Sequence, residues 1–447
     1  MISPVSDPAH AHPHRPSTLP TPGARGSMPT APRRTTFVFA GGGTGGHIYP
    51  ALAIWEALSA RLGRAAGALF VCADRPVDRA VLGPAAVRFE PSPARPLRRS
   101  PLGLWRFARG FQAATSQARR LLDAMAKNSD QRVEVVSLGG FVAGPFARVA
   151  LRRGVPLTLI NLDAFPGRAT VMIAQHAASL AKRDASPPTN PASTPASTPA
   201  STPASTPRCT PLSVYDIGAA GGLRWNLIPP IVRASALPPG DLAHCRQALG
   251  LDPGRHVLMV TGGSLGAASI NRLMIDLLRG ARGGRSVLPT SWQVLHQCGS
   301  DPAEPNALTA EALRTAYAHA GITAVVEPFT ARMGAWWGAA SLAIGRAGAG
   351  TVAEAWASAT PAVFLPYPFH KDHHQARNAE RLAAAGSAVV LTDHALPEPN
   401  RASILPVLDR LINDPAQIQR MRDAGHSLGP ADGAQRVADL LLAPQRA

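Results

Sequence analysis

Residues 36–54 read TFVFAGGGTGGHIYPALAI and combine a short apolar run, a glycine-rich turn and the start of a helix near Pro50. The turn from Gly41 to His47 directs backbone amides and the positive end of the helix dipole at one point. Strand, turn and helix in this order are the repeating unit of parallel sheets covered by helices. The stretch therefore predicts an α/β fold with a glycine-rich turn after its first strand.

The same unit recurs along the rest of the chain. Short apolar, partly β-branched runs alternate with helical stretches, which is typical of a parallel sheet wrapped by helices. The runs form two series, 36–40, 68–73, 133–138, 157–162 and 223–228, and then 256–261, 292–297, 323–327, 342–344, 362–366 and 388–391. We therefore expect two doubly wound parallel-sheet domains facing a cleft, with the ligand in the cleft at the carboxyl ends of the strands.

Two low-complexity tracts and one proline-rich segment divide the chain. Residues 1–35 lack periodicity and residues 186–210 are dominated by Pro-Ala-Ser-Thr repeats, so both are too poor in apolar groups to fold. Prolines around 229–239 interrupt both periodicities and indicate the linker. The predicted divisions are a disordered extension at 1–35, a first domain at 36–234 with an insertion at 186–210, a second domain at 235–428, and a helix at 429–447 returning to the first domain.

The charge balance narrows the class of partner. Lys and Arg number 45 against 28 Asp and Glu, a formal net charge of +17 that favours nucleic acid, anionic lipid or a phosphorylated substrate. Aromatic residues make up only 5% of the chain, too few for a stacking surface, so we expect no nucleic-acid partner. The four cysteines are widely scattered and form no metal-binding pair. We predict neither a metal nor a cofactor.

His47 distinguishes the first glycine-rich turn from an ordinary one. The turn matches neither the dinucleotide-binding pattern nor the pattern of P-loop nucleotide hydrolases, so dehydrogenase and P-loop functions are disfavoured. It can bind a nucleotide or serve only as a tight structural turn. An imidazole titrates near neutrality and can take a proton from a hydroxyl. His47 is therefore a candidate general base.

Three further motifs follow strands of the second series. Residues 262–267, GGSLGA, offer amides and the Ser264 hydroxyl to a diphosphate. Residues 345–354, GRAGAGTVAE, carry Glu354 on the first turns of a helix, where a carboxylate can accept both hydroxyls of a ribose or merely complement the helix dipole. Residues 366–378, PYPFHKDHHQARN, suit sugar hydroxyls through their amides. The adjacent pair His373 and His374 is a poor metal site.

Residues 95–120 predict an amphipathic helix with a basic rim. Leu104, Phe107, Ala108 and Phe111 share one face, with Trp105 beside them. The flanking arginines are Arg98, Arg99, Arg106, Arg109, Arg119 and Arg120. Core packing explains the apolar stripe alone, whereas Trp and Arg together suit an anionic membrane surface. No apolar run approaches the ~20 residues of a membrane-spanning helix, and residues 1–35 lack an apolar signal core.

With these motifs assembled, the chain resembles the MurG family of peptidoglycan N-acetylglucosaminyltransferases, from about Phe37 to the C-terminus. The motifs GGGTGGHIYPALA, GGSLGAASIN, GRAGAGTVAEA and PYPFHKDHHQARNA occur in the family's order. The resemblance implies a GT-B fold and inverting transfer of N-acetylglucosamine from UDP-N-acetylglucosamine to undecaprenyl-diphosphate-N-acetylmuramyl-pentapeptide. It also implies a peripheral protein on the cytoplasmic face of the inner membrane, anchored by Trp105 and neighbouring arginines. Residues 36–234 would bind the acceptor and membrane, and residues 235–428 the UDP-sugar donor.

The resemblance also assigns roles residue by residue. His47 is the candidate general base, and Glu354, on the ribose, is counted with it as catalytic. Thr44, Gly45 and Gly46 would approach the donor sugar and the acceptor diphosphate, and Arg233 and Ser264 the nucleotide and diphosphate of the donor. Thr330 would meet the uracil through its backbone, Ala349, Gly350, Thr351, Val352 and Ala353 would bracket the nucleotide with Glu354, and Gln375 and Asn378 would hold the sugar.

The chain departs from the family pattern near the fourth strand. Where the family commonly has His-Glu-Gln-Asn, residues 160–163 read INLD, so that Asp163 replaces an amide that helps bind the sugar. Asp163 is accordingly a candidate substrate-binding residue and an alternative general base. The alternative functions are a related transferase for another lipid acceptor, a sugar-nucleotide epimerase of similar fold, and a catalytically silent UDP-sugar-binding scaffold.

Overall fold

A parallel sheet organises each half of the chain. The computed structural model describes residues 34–42, 45–73, 75–127, 131–184, 209–263, 266–280, 286–299, 308–369 and 373–443. The first sheet has the order β3-β2-β1-β4-β5-β6-β9. Its strands are β1 (Arg34–Gly41), β2 (Ala66–Cys72), β3 (Phe89–Pro91), β4 (Gln131–Gly139), β5 (Leu157–Asn161), β6 (Cys209–Ser213) and β9 (Asn226–Leu227). A separate antiparallel pair joins β7 (Ala219–Ala220) and β8 (Leu223–Arg224).

The second sheet has the order β12-β11-β10-β13-β14-β15, with every pair parallel. Its strands are β10 (Val257–Thr261), β11 (Gln293–Gln297), β12 (Thr323–Glu327), β13 (Leu342–Gly345), β14 (Ala362–Phe364) and β15 (Ala388–Val390). The central strands are fully buried, as expected for apolar runs covered by helices on both faces. The predicted pair of doubly wound parallel sheets is confirmed.

Helices cover both faces of the first sheet. They are α1 (Gly45–Leu62), α2 (Pro76–Leu82), α3 (Pro101–Ala126), α4 (Gly140–Arg153) and α5 (Arg168–Asp184). Residues of α1 and α2 share one apolar cluster with β1, and residues of α3, α4 and α5 form the cluster on the opposite face. None of the described helices is both long enough and apolar enough to cross a bilayer.

The second sheet is covered in the same way. Its helices are α6 (Leu242–Ala248), α7 (Ala268–Arg279), α8 (Ala310–His319), α9 (Met333–Ala339), α10 (Ala349–Ala357), α11 (His374–Asn378), α12 (Glu380–Ala384), α13 (Pro397–Asn413) and α14 (Pro415–Ser427). The last helix, α15 (Gly433–Leu442), instead buries Val437, Ala438 and Leu441 in the cluster that holds α1. The last described helix thus packs with the first half of the chain, while the assignment of acceptor and donor roles to the two halves stays a prediction.

Several predicted boundaries need correction. The first helix begins at Gly45, so Pro50 lies inside its second turn rather than at its start and leaves the Gly46 carbonyl without the usual amide donor. Strand β6 begins at Cys209, inside the end of the predicted low-complexity tract. The run 223–228 is two short strands rather than one, because a turn at Gly221 and Gly222 folds β8 back on β7. Residues 1–33 and 185–208 lie outside the described residues.

Strand order fixes where a ligand can enter. In the first sheet β1 lies between β2 and β4, and in the second β10 lies between β11 and β13. The connections that leave β1 and β10 therefore run away from those that leave β4 and β13, which opens a crevice at the carboxyl ends of these strands. The first motif follows β1, the second follows β10 and the third follows β13. All three border these crevices.

Candidate active site

The helix α10 presents its amino terminus at one crevice. Gly348 precedes it in an extended conformation, with φ −65° and ψ 150°, and carries no side chain that could cap the first turn. The amides of Ala349, Gly350 and Thr351 lack helical carbonyl partners because they belong to that first turn. Together with the helix dipole they form an environment that suits a phosphate or diphosphate.

His47 lies in the first turn of α1, beside the end of β4. A Cβ atom at Gly139 would lie 3.5 Å from His47 Nε2, so the imidazole packs closely on the backbone there. Burial lowers the pKa of His47 from its usual value, and the charge of Asp163 opposes this shift. The imidazole is therefore largely neutral near pH 7 and can accept a proton.

The turn after β4 packs against the first motif. Gly140 has a φ of +75°, in the left-handed region, and a Cβ atom there would collide with the Gly42 carbonyl oxygen. Only glycine meets both conditions without strain. This contact holds the first glycine-rich turn at its place beside His47.

Gly140→Ala is expected to lower the free energy of unfolding by about 2–5 kcal/mol, since it adds left-handed strain and overpacking. Gly154→Ala is the matched control, because Gly154 has a φ of +67° but open space around a Cβ atom. The control should cost about 1–2 kcal/mol from strain alone. Denaturant unfolding of both variants measures the difference, and equal losses would contradict the close contact.

Asp163 and Asn378 join the two halves of the molecule. Asn378 Nδ2 donates to Asp163 Oδ1 at 3.0 Å and to the Ala347 carbonyl at 3.3 Å, and its Oδ1 accepts from the Ala164 amide at 2.8 Å. The Tyr215 hydroxyl donates to the Asn378 carbonyl at 3.1 Å. Asn378 is 1% exposed. Its side chain is therefore engaged between the halves in this arrangement, whereas the resemblance assigned it to the donor sugar.

Arg233 is held by a carboxylate of α1. Its Nε and Nη2 atoms donate to Glu56 Oε1 at 3.0 and 2.9 Å, and its guanidinium carbon lies 5.9 Å from the centre of the Tyr49 ring. Burial raises the pKa of Tyr49, the Arg233 charge lowers it and the Glu354 charge raises it again. Tyr49, Arg233 and Glu354 thus share one neighbourhood, where α1 meets α10.

Glu354 lies on the second turn of α10 and accepts a hydrogen bond. Trp337 Nε1 donates to Glu354 Oε2 at 2.9 Å, which leaves the other carboxylate oxygen for a ligand. Burial raises the pKa of Glu354 to about 7, and the bond from Trp337 lowers it. Such a shift is typical of functional carboxylates, although buried structural ones share it.

Most of the remaining predicted site residues have a defined position in the structure, and two lie outside the described residues. Thr330 is buried and its hydroxyl accepts from the Arg332 amide at 3.1 Å, while Gln375 Oε1 accepts from the Tyr367 amide at 2.8 Å. Gly45 and Gly46 begin α1 beside His47, and Val352 and Ala353 continue α10 toward Glu354. Thr44 and Ser264 lie outside the described residues.

Four residues of this neighbourhood were not predicted from the sequence. Tyr49 lies within the first motif, where an aromatic residue two positions after His47 was the only signal. Glu56, Tyr215 and Trp337 belong to no motif. Glu56 and Tyr215 each contact the site through a partner more than 160 residues away, and Trp337 does so through Glu354.

Comparisons with known proteins identify the family of both halves of the chain. Residues 37–182 match the glycosyltransferase family 28 N-terminal domain, and residues 257–437 match the glycosyltransferase family 28 C-terminal domain. A relative from Desulforudis audaxviator is named UDP-N-acetylglucosamine--N-acetylmuramyl-(pentapeptide) pyrophosphoryl-undecaprenol N-acetylglucosamine transferase. It is 31% identical over 414 residues, which cover 90% of this chain and 97% of the relative.

Solved structures show the same fold. Acinetobacter baumannii MurG superposes with a TM-score of 0.57 at 22% identity, covering 92% of this chain and 99% of that one. A UDP-GlcNAc 2-epimerase from Neisseria meningitidis, bound to UDP-GlcNAc, superposes with a TM-score of 0.52 at 11% identity, covering 91% and 99%. These likenesses confirm the predicted GT-B arrangement. With the sequence matches, they show that the chain belongs to glycosyltransferase family 28 and, within it, to the MurG family of N-acetylglucosamine transferases.

Proposed function

We propose that the protein transfers N-acetylglucosamine from UDP-N-acetylglucosamine to undecaprenyl-diphosphate-N-acetylmuramyl-pentapeptide. An acceptor hydroxyl oxygen attacks the anomeric carbon of the donor sugar, and the bond from that carbon to the UDP oxygen breaks. The hydroxyl proton passes to the base, and UDP leaves with the bonding electron pair. Attack opposite the leaving group inverts the anomeric centre.

The observation that carries this proposal is a neutral, half-buried His47 near the charge of Asp163. A base for a sugar hydroxyl must be unprotonated at the working pH and must gain stability when it takes the proton. Asp163 supports the second requirement, because its negative charge favours the imidazolium. We assign the base to His47 and a supporting role to Asp163, since Asp163 already accepts a hydrogen bond from Asn378.

The leaving diphosphate is stabilised by dipoles and one cation. The amino terminus of α10 offers amides to the developing negative charge, and Arg233 adds positive charge in the same neighbourhood. Glu56 orients this arginine through the two hydrogen bonds to Oε1. Glu354 accepts the ribose hydroxyls of the donor. These groups supply charge stabilisation in the part of the site that the structure describes.

The acceptor is carried by a membrane, and α3 is suited to contact it. Leu102, Leu104 and Trp105 are each more than half exposed on its first turns. A groove of about 820 Å³ beside them is lined by Arg95, Arg98, Arg106 and Arg109, among other residues. Apolar side chains flanked by arginines match the boundary between acyl chains and anionic headgroups. We propose that this end of α3 anchors the protein peripherally on the cytoplasmic face of the inner membrane.

Trp105→Ala is expected to weaken binding to vesicles that contain anionic phospholipid by about tenfold, since it removes apolar area from the membrane boundary. Arg109, whose guanidinium carbon lies 5.3 Å from the Trp105 ring centre, would lose its aromatic partner as well. Leu396→Ala is the control, because Leu396 is 61% exposed but belongs to the other half. Vesicle sedimentation compares the two, and equal binding of both variants would refute the anchor.

The proposed activity is tested by UDP release from purified protein given UDP-N-acetylglucosamine, with and without the undecaprenyl-linked acceptor. Release that depends on the acceptor, with a product heavier by one N-acetylglucosamine, is the expected result. Release only with a different lipid would indicate another acceptor, and interconversion of the donor sugar without acceptor would indicate an epimerase. Donor binding without any turnover would indicate a silent scaffold.

A further inference from the structure

Arg346 connects three loops at the donor end of the second sheet. It follows β13 directly, and its side chain is 10% exposed. Its Nη1 atom donates to the carbonyl oxygens of Leu365 and Pro366 at 2.8 and 3.1 Å and pairs with Asp393 Oδ2. Its Nη2 atom donates to Ser269 Oγ at 2.8 Å. One guanidinium thus contacts three other segments of the chain.

Asp393 is the carboxylate partner of Arg346 and also bonds to Ser269. Its side chain is fully buried and accepts from Ser269 Oγ, Asn400 Nδ2 and the Ala395 amide, each at 2.7 Å. Burial alone raises the pKa of Asp393, but these hydrogen bonds and the charge of Arg346 outweigh burial and hold that pKa below its usual value. The carboxylate is therefore ionised at neutral pH, and the pair is a charged one with most of its hydrogen-bonding capacity used.

The segments joined in this way are the ones assigned to the donor. Ser269 belongs to the second motif, in the first turn of α7, and Arg346 opens the third motif ahead of α10. Leu365 and Pro366 lead into the fourth motif, and the Arg346 guanidinium carbon lies 5.5 Å from the Tyr367 ring centre. One side chain of the third motif therefore bonds directly to the start of the second motif's helix and to the residues that lead into the fourth motif. The planar, five-donor shape of arginine makes this possible, and lysine cannot reproduce it.

A purely structural ion pair would not need this arrangement. The contacts of Arg346 reach loop carbonyls and a helix-start hydroxyl after the strands end, rather than groups within the sheet. We propose that Arg346 and Asp393 are positioning residues for the UDP-sugar donor, which set the spacing of the second, third and fourth motifs without touching the substrate. This inference rests on the proposed function, because it takes those motifs as the donor site.

Arg346→Lys tests the inference because it keeps the positive charge and removes the planar guanidinium with its five donors. The expected result is a KM for UDP-N-acetylglucosamine raised on the order of tenfold, with the KM for the lipid acceptor unchanged. UDP binding measured by calorimetry should weaken by a similar factor. Arg401→Lys is the matched control, since Arg401 is also largely buried and faces Asp276 at 3.7 Å, and neither residue belongs to the three motifs. The control should leave both KM values unchanged.

Ser269→Ala is the second variant, because it deletes one hydroxyl and leaves the buried ion pair in place. It should raise the donor KM by about threefold. The double variant with Arg346→Lys should raise the donor KM by less than the product of the two single effects. An unchanged donor KM and UDP affinity in both variants, or equal changes in donor and acceptor KM, would overturn the inference. If Arg346→Lys does not fold, Ser269→Ala decides alone. If the unaltered protein releases no UDP in the presence of acceptor, the proposed transferase activity is refuted. Calorimetric UDP binding by the variants would still test whether Arg346 and Asp393 position the donor site.

Discussion

His47→Ala is expected to lower kcat by about 10²–10⁴-fold, the usual contribution of a positioned general base. The KM for UDP-N-acetylglucosamine should change little, because the proposed base contacts the acceptor hydroxyl and not the nucleotide. His176→Ala is the matched control, since His176 lies on α5 among Arg148, Arg152 and Arg183, away from the described site. Steady-state kinetics at saturating donor and acceptor measure both variants.

The pH profile gives the same assignment a second test. Burial lowers the pKa of His47 below its usual 6.5, so the base is unprotonated at pH 7 and activity should fall only below that value. The acid limb of kcat should be absent from the residual activity of His47→Ala. If the His47→Ala variant has nearly full kcat or keeps the acid limb unchanged, the general base is Asp163 and not His47.

Glu354→Gln is expected to weaken donor binding by about 10- to 100-fold, the effect of replacing a charged acceptor of hydroxyl hydrogen bonds by a neutral amide. Because burial raises the pKa of Glu354 to about 7, donor affinity of the unaltered protein should rise as pH increases through neutrality. The affinity of the glutamine variant should be flat over the same range. Calorimetric titration with UDP across pH measures both.

Glu311→Gln is the control for this prediction, since Glu311 is exposed and pairs with Arg314 on α8. The control should bind UDP with unchanged affinity at every pH. A Glu354→Gln variant that binds UDP as tightly as the unaltered protein would show that the carboxylate only accepts the Trp337 bond and complements its helix.

The raised pKa of Glu354 also makes the free energy of unfolding depend on pH. The pKa of Glu354 is raised from 4.5 to about 7 in the fold, so the folded state retains the proton over a range in which the unfolded state releases it. Its contribution to stability is fully present below pH 4.5 and is lost as pH rises through about 7. Glu354→Gln should therefore flatten the decline of stability between these values.

Local sequence patterns were sufficient to predict the motifs and most strands of the two sheets. Apolar runs of strand length, each followed by a glycine-rich turn and a helix, predict βα units within about twenty residues of chain. The position of Glu354 on the first turns of a helix follows from the same short stretches, whereas His47 was predicted in the turn and lies inside α1. Two strands of the first sheet were missed. Strand β3 is only three residues long, and the residues CTPLS of β6 contain a proline and follow a low-complexity tract.

Which side chains distant in sequence meet was decided by the tertiary structure alone. Asp163 and Asn378 are 215 residues apart, Glu56 and Arg233 are 177 apart, and Arg346 and Asp393 are 47 apart. No periodicity links such pairs, because each depends on how one sheet is packed and how the two sheets face each other. The sequence by itself determined the α/β units, the glycine-rich turns and the candidate base. Only the folded chain decided that Asn378 joins the two halves and that one arginine holds three loops, since long-range packing, and not local propensity, brings these groups within bonding distance.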